Sequence, residues 1–293
     1  MARAQASAYI ADRGYHHYDG VRLGLLHSLW VISWGAIFRA MGMRRPFRTK
    51  LMPWALLLAS YAPAVFVLGI RIVAGSLSKT LEPSDSVYTS LLLYAQLSVL
   101  LFAGLAAPDV LCPDRRERVL SLYFVAPITR LHYILAKLTG IVLLLIAMTV
   151  VPVLIYFIGS ALLAHDTASF LGSHGADLWR IVVAGVVMSV YFAVLGIAVA
   201  AFNDRRAFAT GTYIGLILVS GVASGIIVDS MRFSGHTRFA VLNLGGLPLG
   251  VVRWIFKQNI SSHLDGRVYG AACLVVVVAG LGLMIWQYGR TGE

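Results

Sequence analysis

LTGIVLLLIAMTVVPVLIYFIGSALL, residues 138–163, contains no Asp, Glu, Lys, Arg or His. A helix rises about 1.5 Å per residue, so this run is longer than the ~30 Å hydrocarbon core of a bilayer. Inside hydrocarbon no water is present to satisfy backbone N–H and C=O groups. A helix, which pairs them internally, is the form such a segment takes. Pro152 lies within the run and predicts a kink there.

Five further runs read the same way: 51–70, 87–107, 181–202, 208–228 and 268–287. The chain is therefore an all-α membrane protein with six transmembrane helices. Its composition agrees. The 293 residues are 59% hydrophobic and 13% charged, about half the charged share of a soluble domain. The net charge of +11 would suggest nucleic acid in a soluble protein. Here the basic residues flank apolar runs, so lipid headgroups are the partner and nucleic acid is not. Cys112 and Cys273 sit far apart with no CxxC pattern, which excludes a disulfide framework. Residues 1–22 are polar and hold no apolar core of a cleavable leader.

Ahead of the first span, 23–43 has a mixed character. Leu26, Trp30, Trp34, Ile37, Phe38 and Met41 fall on one helical face, and His27, Ser28 and Arg39 interrupt the rest. This reads as an elbow helix lying in the interface, followed by a basic hinge at 44–50. The domain division is thus 1–50, the N-terminal segment with its elbow, and 51–293, the six-helix membrane domain. Lys and Arg favour one side of the spans by about two to one, which puts both termini in the cytoplasm of a plasma-membrane protein. The long outer loop, 229–267, contains an apolar stretch at 242–255 with Gly245, Gly246 and Pro248 near its start. It is too short to span and reads as an outer re-entrant segment before helix six.

Several functions are disfavoured by what the spans lack. No ionisable residue sits mid-span, as an ion-coupled transporter would need. The only Lys-Thr pair, Lys79-Thr80, follows Ser78, and Val73 stands where a P-loop's first glycine belongs. No ATP site is expected on this chain. His165, Asp166, His174 and Asp177 fall in the outer loop between spans three and four without ligand spacing, so a solvated loop is the plainer reading. The adjacent His16 and His17 would point about 100° apart on a helix and chelate poorly.

The stretch between spans two and three is the most informative. Pro108 to Arg130 contains Pro113-Asp114, suited to a helix start, then Arg115, Arg116, Glu117 and Arg118. Val119, Leu120, Tyr123 and Phe124 supply an apolar face, and Pro127 ends it. A short charged and apolar helix of this kind suits docking in a groove of another protein.

This stretch resembles the ABC-2 family of transporter permeases. The matching features are Glu117, Leu120 and Leu122, then Pro127-Ile128-Thr129-Arg130 and a closing Lys137, with Val119 where the family usually has a glycine. The six spans, elbow and outer re-entrant segment are also similar to the family. The resemblance implies a transport subunit rather than an enzyme, with a cytoplasmic coupling helix between helices 2 and 3. Asp114, Arg115, Arg116, Glu117, Arg118, Tyr123, Phe124, Thr129 and Arg130 would engage a separate P-loop ATPase that holds ATP and Mg. No cofactor or metal would sit on this chain. A second permease chain would complete the complex, and export is the implied direction. The uncharged spans suit a lipophilic or lipid-linked substrate. Tyr94, Gln96, Ser98, Thr212 and Tyr213 are polar enough to line its path, although helix–helix hydrogen bonding would explain each equally well. The rival reading is a membrane-embedded enzyme acting on lipids.

The elbow reading has a direct check. A tag fused at the N-terminus should be reached by antibody only after cells are permeabilised. Labelling on intact cells would make 23–43 a seventh span.

Overall fold

The computed structural model describes residues 24–43, 46–74, 83–117, 129–164, 166–230, 237–258 and 264–290. The expectations placed on 1–22, 118–128 (with Arg118, Tyr123 and Phe124) and His165 lie outside the described residues. Every regular element among those described is helical. Six helices are long and apolar enough to cross a membrane, as the sequence predicts.

In chain order the elements are α1 (Leu25–Ala40), α2 (Phe47–Ala74), α3 (Asp85–Arg116), α4 (Arg130–Leu163), α5 (Thr167–Ala201) and α6 (Arg206–Ser230). A 3₁₀ helix (Thr237–Leu242), α7 (Leu247–Ile255) and α8 (Gly266–Arg290) follow among the described residues. Successive long helices run up and down, so α3 ends and α4 begins at the same end of the bundle. That end, called here the arginine end, also holds the α5–α6 turn and the end of α8.

α5 is the centre of the bundle. It packs against α3, α4, α6, α7 and α8, and Ile181, Ala184, Met188 and Phe192 are all fully buried. α2, α6 and α8 are peripheral. Their exposed residues are apolar: Val65 and Phe66 on α2, Leu218, Val219 and Val222 on α6, Leu274, Val275 and Val278 on α8. An apolar surface of this extent is compatible with lipid and not with water.

Hydropathy locates the spans but not their ends. α3, at 32 residues, covers about 48 Å, and α5, at 35, about 52 Å. Both overshoot the hydrocarbon core. α3 begins at Asp85 and continues past the expected end at 107, through Pro108 and Pro113, to Arg116. Pro113-Asp114 is therefore the close of a helix and not the start of one. Pro108 lacks the N–H that would bond the Gly104 carbonyl. The Thr210 hydroxyl of α6 donates to that carbonyl instead, at 2.9 Å, which satisfies the group the proline leaves over. α5 likewise starts at Thr167 and not near 181, so His174 and Asp177 are helical rather than loop residues. Asp166 caps the helix by accepting from the Ala168 N–H at 3.0 Å, and His174 stacks on Phe170 at 4.6 Å. α4 begins at Arg130, earlier than the expected 138.

α1, at 16 residues, spans only about 24 Å, less than the hydrocarbon core. It turns its small residues inward. Ser33, Ala36 and Ala40 are buried, while Leu26, Trp30 and Trp34 face out. The inner face lies on α4 at Gly140, and the Ser33 hydroxyl donates to the Ala136 carbonyl at 2.8 Å. Close approach of backbones at small residues is how helices associate in lipid.

Gly140 tests that contact. A β-carbon there would lie 2.6 Å from the Ser33 carbonyl oxygen and 2.9 Å from the Ala36 β-carbon. Gly140→Ala should therefore cost about 1–3 kcal/mol of stability in detergent, despite alanine's better helix propensity. Gly215→Ala on α6 meets nothing within 4 Å and should be neutral or mildly stabilising. Equal melting midpoints for the two variants would refute the α1–α4 packing.

Candidate functional site

The arginine end is organised by one buried carboxylate. Asp114 sits in the last turn of α3 and is almost wholly shielded from solvent, at 2% exposure. One of its oxygens pairs with the Arg39 guanidinium from the last turn of α1. The other accepts from Lys137 Nζ at 2.8 Å and from the Tyr133 hydroxyl at 2.7 Å. Tyr133 and Lys137 are four residues apart on α4, so they share a face. Nζ also lies 5.4 Å from the centre of the Tyr133 ring. Three helices thus converge on one carboxylate.

Lys137 is as buried as Asp114. Removing both ions from water costs several kcal/mol each, and only close partners with further hydrogen bonds offset that. Asp114 has such partners from Arg39 and Tyr133. The sequence signalled Lys137 as the last charge before an uncharged run, but nothing local named its partner. Arg39 read as an interruption of an apolar face, and Tyr133 gave no signal.

A second cluster ties α3 to the α5–α6 turn. Arg115 donates to the Ala201 carbonyl and pairs with Asp204 at 3.4 Å. Cys112 is buried in α3, and its thiol donates to the Asn203 carbonyl at 3.3 Å. Arg206 reaches back to Asp109 at 2.9 Å. Glu117 caps α3 and is exposed, as is Arg116. Between the end of α3 and this turn lies a cleft of about 700 Å³. On α4, Thr129 caps the helix by accepting from the His132 N–H at 3.4 Å. Arg130 donates to the carbonyls of Tyr288 and Gly289 at 3.0 and 3.2 Å, fixing the end of α8. Of the expected coupling residues that are described, Asp114, Arg115, Arg116 and Glu117 gather at the end of α3. Thr129 and Arg130 stand where the chain resumes.

At the opposite end the break between the 3₁₀ helix and α7 is held by spans. The Gln96 amide of α3 donates to the Gly245 carbonyl at 2.5 Å, and the Tyr191 hydroxyl of α5 donates to the Leu244 carbonyl at 2.8 Å. Ser220 of α6 accepts from the Leu244 N–H at 3.3 Å, and Ser224 donates to the Phe239 carbonyl at 3.1 Å. Irregular backbone at such a position requires partners of this kind.

The five expected path residues do not share one surface. Tyr94 is 64% exposed on the outside of α3. Thr212 is exposed and bonds its own helix at Phe208. Ser98 is buried, Gln96 holds the break before α7, and Tyr213 lies buried against Gly104. Gln96 Oε1 and the Tyr213 hydroxyl are buried with no hydrogen-bond partner among the described residues.

Neither models of known protein families nor curated protein sequences give a match to this chain.

The Asp114 network can be tested by a double-mutant cycle. Lys137→Met should destabilise the protein by about 3–5 kcal/mol, because a carboxylate stays buried beside a lost cation. Asp114→Leu combined with Lys137→Met should recover most of that loss, since neither charge is then buried. Additive destabilisation in the melting of the double variant would show that the two do not form a pair.

Proposed function

We propose that this chain is the membrane-spanning permease subunit of an ABC-2-type transporter, powered by a separate P-loop ATPase. The observation that carries the reading is how the described residues on either side of 118–128 are tied into the bundle. This stretch, with the charged and apolar pattern suited to docking, leaves α3 just after Asp114 and rejoins the chain at the Thr129 cap of α4. A push on it would act on helix ends that are linked through Asp114, Lys137 and Arg39. The same push would reach α8 through Arg130 and the α5–α6 turn through Arg115. Helix ends linked this way suit the transfer of mechanical work from a partner to several spans at once.

In this reading the arginine end is cytoplasmic, α1 is the interfacial elbow and α7 belongs to a re-entrant outer segment. ATP and Mg²⁺ would be held by the partner. A second permease chain would pair with the first, and the thinly covered α6, where Gly211 and Gly215 face open space, leaves room for it. The uncharged apolar spans support a lipophilic or lipid-linked substrate and export as the direction.

Purification of the tagged chain from its native membranes in mild detergent tests this. A P-loop ATPase should co-purify, and ATP hydrolysis should belong to the complex and be absent from the chain alone. Glu117→Ala should weaken that association by at least about thirtyfold, the cost of truncating one charge at a desolvated interface. Hydrolysis by the isolated chain, or a complex unaffected by this change, would defeat the proposal.

A further inference from the structure

Of the described arginines that line the cleft at the end of α3, two keep no partner once the ion pairs are assigned. Arg115 takes Asp204, and Arg206 takes Asp109. Arg116 and Arg205 are exposed and make no ion pair among the described residues. One comes from the end of α3 and the other from the α5–α6 turn, and both line the cleft of about 700 Å³. Glu117 is the one carboxylate of the lining that is not already paired, since Asp204 belongs to Arg115. Two positive charges therefore face one negative charge, an excess that a singly charged anion would balance.

The depth of the cleft selects the anion. Arg205 directly precedes α6, and three residues on Phe208 is 69% exposed. Phe202, before the turn, is 43% exposed, with its ring 6.5 Å from that of the half-exposed Trp286 on α8. Tryptophan concentrates where hydrocarbon meets headgroups, so Trp286 marks that depth, and the exposed Phe202 and Phe208 mark the edge of the apolar surface. The cleft thus lies at the level where lipid-facing apolar surface gives way to charge. Guanidinium groups bind phosphate oxygens in a planar, paired geometry. Basic pockets between membrane helices bind anionic headgroups. The first N–H groups of α6, beside Arg205, add donors without intrahelical partners.

We infer that this cleft binds the phosphodiester headgroup of an anionic phospholipid, with Arg116 and Arg205 as its principal ligands. The bound lipid joins the end of α3 to the α5–α6 turn at the point where Arg115 already links them. The inference needs only a membrane-spanning bundle and stands independently of the transport reading.

Native mass spectrometry of the detergent-purified chain, titrated with phosphatidylglycerol or phosphatidylcholine, provides the test. Phosphatidylglycerol should be retained in preference. Arg116→Gln with Arg205→Gln should lower its apparent affinity about thirtyfold, the effect of two basic residues lost from an anionic-lipid contact. Lysines at both positions should keep most of the preference. Lys257→Gln with Arg267→Gln, which removes the same charge from the other end, should leave it intact. If the double glutamine variant does not remain folded, Arg205→Gln alone should show about a fivefold loss. Equal retention of the two lipids, or an equal loss in the distant charge control, would overturn the site. Displacement of the lipid by millimolar glycerol phosphate would identify a site for soluble phosphate esters and overturn the lipid assignment. A preference for phosphatidylglycerol that the arginine substitutions leave unchanged would place the lipid elsewhere and overturn it too.

Discussion

A carboxylate inside a bundle of apolar helices is stable in its charged form only if the protein replaces the water it has lost. Asp114 meets that requirement with an ammonium, a guanidinium and a phenol drawn from two other helices. α1 and α4 must approach α3 closely at one end for those groups to arrive. The small residues that permit the approach, Ser33, Ala36 and Gly140, are where α1 crosses α4. Packing and electrostatics here are one constraint: without the close contact the charges have no partners, and without the partners the charges would oppose the contact.

The same accounting governs the uncharged polar groups. Pro108 removes a backbone donor from α3, and Thr210 of a neighbouring helix replaces it. The break before α7 exposes carbonyls at Leu244 and Gly245, and Tyr191 and Gln96 reach them. In each case a polar side chain in an apolar span serves a backbone group elsewhere. This bears on function, because polarity within a span is then weak grounds for assigning a residue to a substrate path. Gln96 has both roles open to it, with its amide nitrogen committed and its oxygen without a partner among the described residues.

The two ends of the bundle are built differently. At the arginine end, helix termini are cross-linked by charge: α3 to α1 and α4, the α5–α6 turn to α3, and the end of α8 to α4. At the other end, neutral side chains of α3, α5 and α6 bond the backbone of the break before α7, and Arg180 of α5 pairs with Asp85 of α3.

The six spans were legible in the sequence because hydropathy is local: a run such as 138–163 has no other low-energy state in a bilayer, whatever its neighbours are. The short apolar segment before the last span was legible for the same reason. The ends of the helices were not. Pro108 and Pro113 look like terminators, and Asp177 and Arg180 look like loop residues, until partners on other helices make continuation favourable. Arg180, for example, pairs with Asp177 on its own helix and with Asp85 on α3. The candidate site divides along the same line. The charged run around Glu117 is a local pattern and could be read directly. The pairing of Asp114 with Lys137 joins residues 23 positions apart on different helices, and Arg39 comes from farther still. No periodicity encodes such a meeting. It is decided by which small faces allow two helices to touch, and only the tertiary structure contains that.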